Sequence, residues 1–84
     1  MSEKKFRTEE FRVDGEELLA RIKNLVKEGN VRRIIIKNKE GKVVFEIPLT
    51  FGVVGALIAP QLAAIGAIAA LLTEATVVVE KEES

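Results

Sequence analysis

Cysteine, histidine, tryptophan and tyrosine are absent from the 84 residues, and the four phenylalanines are the only aromatic side chains. No disulfide, thiolate or imidazole metal site can form, no Cys or His nucleophile exists, and the side chain best suited to proton transfer near neutrality is missing. Most familiar enzyme classes are excluded with them. An excess of charge of either sign is also lacking, since 13 Lys+Arg balance 13 Asp+Glu. A dedicated nucleic-acid binder usually carries an excess of basic charge, so bulk electrostatics select no such partner. Eighty-four residues form one small domain, 1–84, with no room for a separate catalytic module. With 48% hydrophobic and 31% charged residues the chain can bury a core and is not disordered.

What is present is unevenly spread. Residues 1–46 hold 12 Lys+Arg and 9 Asp+Glu, whereas residues 74–84 hold Lys81 against Glu74, Glu80, Glu82 and Glu83. Between Glu46 and Glu74 lie 27 residues without a charge. This stretch is far from the N-terminus, and residues 1–17 are densely charged, so no signal peptide is visible and cytoplasmic synthesis is expected.

Phe6 to Val13 reads as a first strand, with Phe11 and Val13 on one face. Asp14 three residues before Glu17 has the spacing of a helix cap. The apolar stripe Leu18, Leu19, Ile22, Leu25 and Val26 follows, and Gly29 suits the position after the last helical turn. Ile34-Ile35-Ile36 is too β-branched to favour a helix, and Asn38-Lys39-Glu40-Gly41 supplies turn chemistry, so residues 31–47 are an antiparallel hairpin. Alternation puts Ile34 and Ile36 on one face with Val43, Phe45 and Ile47. Arg33, Ile35, Lys37, Lys42, Val44 and Glu46 take the other. Thr76 to Glu80 reads as a last strand.

Of the 22 residues from Phe51 to Leu72, ten are Gly or Ala and ten are large and apolar, with Pro60 and Gln61 between. The length suffices for a bilayer span, and the basic residues before and acidic residues after it would place the N-terminus in the cytoplasm. Ten large apolar residues nevertheless contribute only roughly −3 to −6 kcal/mol toward insertion, before Pro60, Gln61 and three glycines reduce it. A single crossing would also strand the last strand on the far side. The reading preferred here is a helical hairpin over residues 50–73 that turns at Ala59-Pro60-Gln61, with Pro60 opening the second arm. Leu62, Ile65, Ile68 and Leu72 line one side of that arm, and Ala63, Gly66, Ala67 and Ala70 another. Gly52 with Ala56, Gly55 with Ala59, Ala63 with Ala67 and Gly66 with Ala70 have the small-xxx-small spacing of closely packed helices, a pattern that also arises by chance in an Ala/Gly-rich run. The arms can form the hydrophobic floor under a four-stranded sheet, but a helix that is apolar all round cannot be fully covered by an 84-residue monomer. Another copy, a partner or lipid must cover it.

Other chemistry is weak. Glu9-Glu10 and Glu16-Glu17 are adjacent pairs whose side chains diverge. Arg32, Arg33, Lys37 and Phe45 could present a basic, partly aromatic surface, but Glu40 and Glu46 cancel its field. Gly52-Val53-Val54-Gly55 lacks the spacing and the Lys-Ser/Thr pair of a phosphate loop, and no calcium-loop spacing of acids is present. No catalytic residue, cofactor, metal, nucleic acid or small-molecule substrate is therefore expected. On the sheet's mixed face, Ile35 and Val44, joined by Val78 if the strand order allows, form an apolar stripe framed by Arg33, Lys37, Lys42 and Glu46.

The charged first strand, the helix ending in Gly29-Asn30-Val31, the hairpin from Arg32 to Thr50 and the Gly52-Val-Val-Gly-Ala-Leu-Ile-Ala-Pro60 segment resemble, from about Phe6 to Glu80, the bacterial family known as domain of unknown function 4342. Some relatives carry a ubiquitin-associated-like module ahead of this domain, which these 84 residues lack. The resemblance implies a stand-alone interaction domain and not an enzyme.

The expected fold is α+β in the order β-α-β-β-(helical hairpin)-β. The expected function is non-catalytic self-association or protein interaction, with the apolar segment buried in a homo-oligomer. Interface candidates are Gly52, Gly55, Ala59, Ala63, Gly66, Ala67, Ala70, Ile35 and Val44. The alternative is a membrane-associated domain with residues 50–73 inserted in or spanning the bilayer.

Overall fold

The structure, a computed structural model, describes residues 5–49 and 55–83. It is α+β: a four-stranded antiparallel sheet with two helices. In chain order the elements are β1 (Lys5–Asp14), α1 (Gly15–Glu28), β2 (Val31–Lys37), β3 (Val43–Pro48), α2 (Gly55–Ala69) and β4 (Glu74–Glu83). The spatial order of the strands is β1-β4-β2-β3. The last strand in sequence therefore lies inside the sheet, between β1 and β2.

Side-chain alternation sorts the sheet into two faces. Val13, Ala75, Val77, Val79, Ile34, Ile36 and Ile47 point to the helix side and are buried, and Phe11 and Phe45 pack on the rim of this core. From α1 come Leu18, Ile22, Leu25 and Val26, and from α2 Ile65. The opposite face, with Ile35 and Val78 side by side in register, has no helix against it among the described elements.

The residues around each element account for its limits. At the start of α1, Asp14 has extended backbone but makes no side-chain cap, so the cap expected from the Asp14–Glu17 spacing does not form. The orphan N–H of Gly15 instead donates to the carbonyl of Thr73, 3.3 Å away. Gly29 ends the helix at φ +81°, as its position implied. In the hairpin turn, Asn38 Oδ1 accepts from the N–H of both Glu40 and Lys42 at 3.0 Å, and Gly41 takes φ +85°.

Two further expectations need correction. Val43 does not share the core face with Ile34, Ile36, Phe45 and Ile47. A register shift at Ile36/Lys37 sets Val43 opposite Lys37, and its side chain is 57% exposed. The helical turn at Ala59-Pro60-Gln61 is also absent, since α2 runs unbroken through Pro60. The first four residues of the expected first arm's apolar run, 51–54, lie outside the described residues. The physical reason for a single helix is directional. β3 and β4 are both antiparallel to β2, so they run the same way. The connection from the end of β3 to the start of β4 must traverse the sheet once, or another odd number of times. One helix of 15 residues, about 22 Å long, does so. A hairpin of two arms would end where it began. The hydrogen bond that Pro60 cannot donate is a local loss that the crossover tolerates.

Candidate functional site

With one side of α2 turned to the core, its other side faces out. Ile65 is fully buried and Leu62, Ala69 and Leu72 pack against the core, while Ala59, Pro60, Ala63, Ala67 and Ala70 are exposed. Spacings of four, four and three place Ala59, Ala63, Ala67 and Ala70 in one stripe along the helix. Leu71, just past its end, is 86% exposed, the largest value among the exposed large hydrophobic residues. No residue of α2 is charged.

The structure separates the small residues that the sequence grouped. Ala59, Ala63, Ala67 and Ala70 share the outer stripe, and Gly55 opens the helix. Gly66 turns toward α1, where a Cβ would stand 3.7 Å from Leu19 Cδ2. Gly52 lies outside the described residues. Ile35 is on the opposite side of the molecule, on the uncovered sheet face, and Val44 lies at the register shift of β3. Ile35 is half-buried beside Val78, and Val44 is exposed. These two belong to a different surface from the alanine stripe.

Ion pairs dress that sheet face. Arg33 Nε lies 3.3 Å from Glu46 Oε1 and 3.4 Å from Glu80 Oε2, linking β3, β2 and β4. On the helix side the largely buried Lys81 holds three elements together. Its Nζ is 2.9 Å from Glu28 of α1 and 3.2 Å from Glu9 of β1. The hydrogen bond to Glu28 raises the Lys81 pKa above its ordinary value of 10.5; burial opposes this and Glu9 adds to it. Near the end of α1, Arg32 binds Glu82 at 2.8 Å and donates to the carbonyl of Gly29 at 3.0 Å.

Sequence reasoning treated Lys81 only as one charge in an acidic stretch. Its parity with Val77 and Val79 places it on the core face, and that was the available signal. Gly15 was missed too. A Cβ there would collide with the Leu72 carbonyl oxygen and stand 2.7 Å from that of Ala69, so this site requires glycine for close approach.

An open groove of about 600 Å³ lies between the start of α1 and the end of α2, lined by Leu19, Gly66, Ala69, Ala70 and Leu72, with Asp14, Glu16 and Thr73 at hand. Its polar groups are two carboxylates and a hydroxyl, without a paired base. Among the described residues no group of three carboxylates is placed to hold a metal ion, and no helix is long and apolar enough to cross a membrane.

A family model described as a domain of unknown function, DUF4342, matches residues 4–81. No curated protein matches the chain, and no solved structure does.

Proposed function

The chain belongs to the DUF4342 family, and from that premise we propose that it is a cytoplasmic, non-catalytic domain that self-associates through the outer face of α2. The observation that carries this reading is the uncharged outward stripe of Ala59, Ala63, Ala67 and Ala70, ending at the exposed Leu71. A surface helix in water ordinarily carries polar residues on its outer side. Here that side is methyl groups, and extended apolar patches on soluble proteins mark contact sites. Alanines allow a second helix to approach closely, and each Å² of apolar area removed from water contributes about 25 cal/mol. The two-fold symmetric arrangement, in which the same stripe serves both copies, is the simplest closed solution.

Light-scattering mass after gel filtration without detergent tests this. The expected result is a discrete multiple of 9.2 kDa, halved by Ala67→Glu with the thermal transition kept, because Ala67 touches solvent in the single chain. A wild-type monomer, or a mass that Ala67→Glu leaves unchanged, overturns the reading. Recovery only from membranes with detergent would assign the same helix to lipid instead.

A further inference from the structure

The sheet has two edges, and they differ. β3 is six residues long, carries Pro48, and is bent by the register shift opposite Ile36/Lys37. Short length, proline and bulges are the devices that keep an edge strand from pairing with another chain. β1 has none of them. Its ten residues pair with β4 in an unbroken register, from Lys5↔Glu83 to Asp14↔Glu74. No described strand lies on its other side. Every second residue of β1 therefore points its backbone N–H and C=O away from the sheet.

We propose that this edge pairs antiparallel with β1 of a second copy, about a two-fold axis through Phe11 and normal to the sheet. Such an axis keeps the helices of both copies on one side. Residues then pair only with residues of their own face, which restricts the centre of symmetry to a residue position. Centring on Glu9 or Glu10 would set two carboxylates against each other. Centring on Thr8 would set Arg7 against Glu9, but these already bond within one chain at 2.9 Å, and Glu9 also holds Lys81. Centring on Phe11 sets Glu10 of each copy against Arg12 of the other, twice, with Phe11 against Phe11 between them. Both residues are available. No ion pair holds Glu10 among the described residues, and Arg12 reaches only Glu74, at 3.9 Å, with its side chain 80% exposed. Charges on an edge ordinarily deter pairing; in the register centred on Phe11 this set becomes complementary to a copy of itself.

This contact is independent of the α2 contact, and the test separates them. In an Ala67→Glu background, sedimentation equilibrium at low salt is expected to give twice 9.2 kDa. Adding Glu10→Arg or Arg12→Glu alone places like charges opposite each other twice. Each should raise the dissociation constant at least about tenfold. The double variant Glu10→Arg/Arg12→Glu restores both pairs with reversed polarity and should restore the dimer. A monomeric Ala67→Glu protein, single variants that keep their dimer, or a folded double variant that fails to recover it overturns the proposal. Amide exchange on the wild-type chain provides a second readout. Alternate β1 amides should gain protection as protein concentration rises, and an exchange pattern independent of concentration also overturns it.

Discussion

The two helices perform the same topological task with opposite outer surfaces. Each carries the chain once across the sheet between two strands that run the same way, α1 from β1 to β2 and α2 from β3 to β4. Their inner sides follow one rule, with Leu18, Ile22 and Leu25 of α1 and Ile65 of α2 closing over the strand valines and isoleucines. Their outer sides do not. α1 presents Glu16, Glu17, Lys23 and Lys27 to water, whereas α2 presents alanine and Leu71. Crossing the sheet required no particular outer surface, so the crossover itself does not account for the absence of charge on α2.

Substitutions can test where the likeness ends and the difference begins. The greatest loss is expected where the helices touch, at Gly15→Val. The new side chain would meet the Leu72 and Ala69 carbonyls, which are backbone and cannot swing aside, and urea denaturation should show at least about 5 kcal/mol of destabilisation. Next come the inner sides. Ile22→Ala and Ile65→Ala each empty a fully buried site and should each cost about 2–5 kcal/mol in the same assay. A much smaller cost at Ile65 would mean that α2 is not anchored to the core as α1 is.

Lys81→Met, which leaves Glu28 and Glu9 half-exposed without their cation, is expected to cost about 1 kcal/mol or less at neutral pH. Because the folded pKa of Lys81 lies above the ordinary 10.5, its contribution is fully present below that pH and is lost as pH rises through the raised value. The stability difference between wild type and Lys81→Met should therefore be constant from pH 7 to 9 and shrink at higher pH. The smallest change belongs to the outer side of α1, where Lys23→Ala should shift stability by less than about 0.5 kcal/mol and leave the mass unaltered. Loss of association there would erase the contrast with Ala67→Glu.

Legibility of the fold followed the range of the physics involved. α1 was readable because its apolar period, Leu18 to Val26, and its terminal Gly29 are local. The hairpin was readable from the β-branched run and from Asn38 and Gly41. The central place of β4 was not, because strand order depends on pairings between residues nearly the whole chain apart, such as Lys5 with Glu83. The mistaken turn at Pro60 came from applying a local rule where strand direction decides. Val43 was misplaced because a register shift inverts strict alternation. For the surface, the alanines were readable as a size pattern. Which of them turn outward depended on where Leu19 of α1 lies, and that moved Gly66 inward.

The location of β4 has a bearing on how the molecule is made. During synthesis β1, α1 and the β2–β3 hairpin emerge first, yet β1 and β2 have no common neighbour until Glu74–Glu83 leaves the ribosome. Until then the hairpin can close on its own, while β1 and the inner side of α1 remain without a sheet to complete. Closure through contacts so distant in sequence is slow compared with helix or hairpin formation. The domain is thus expected to fold after its last strand has been translated, and the apolar α2 segment, already exposed by that time, is the part of the nascent chain that most needs protection.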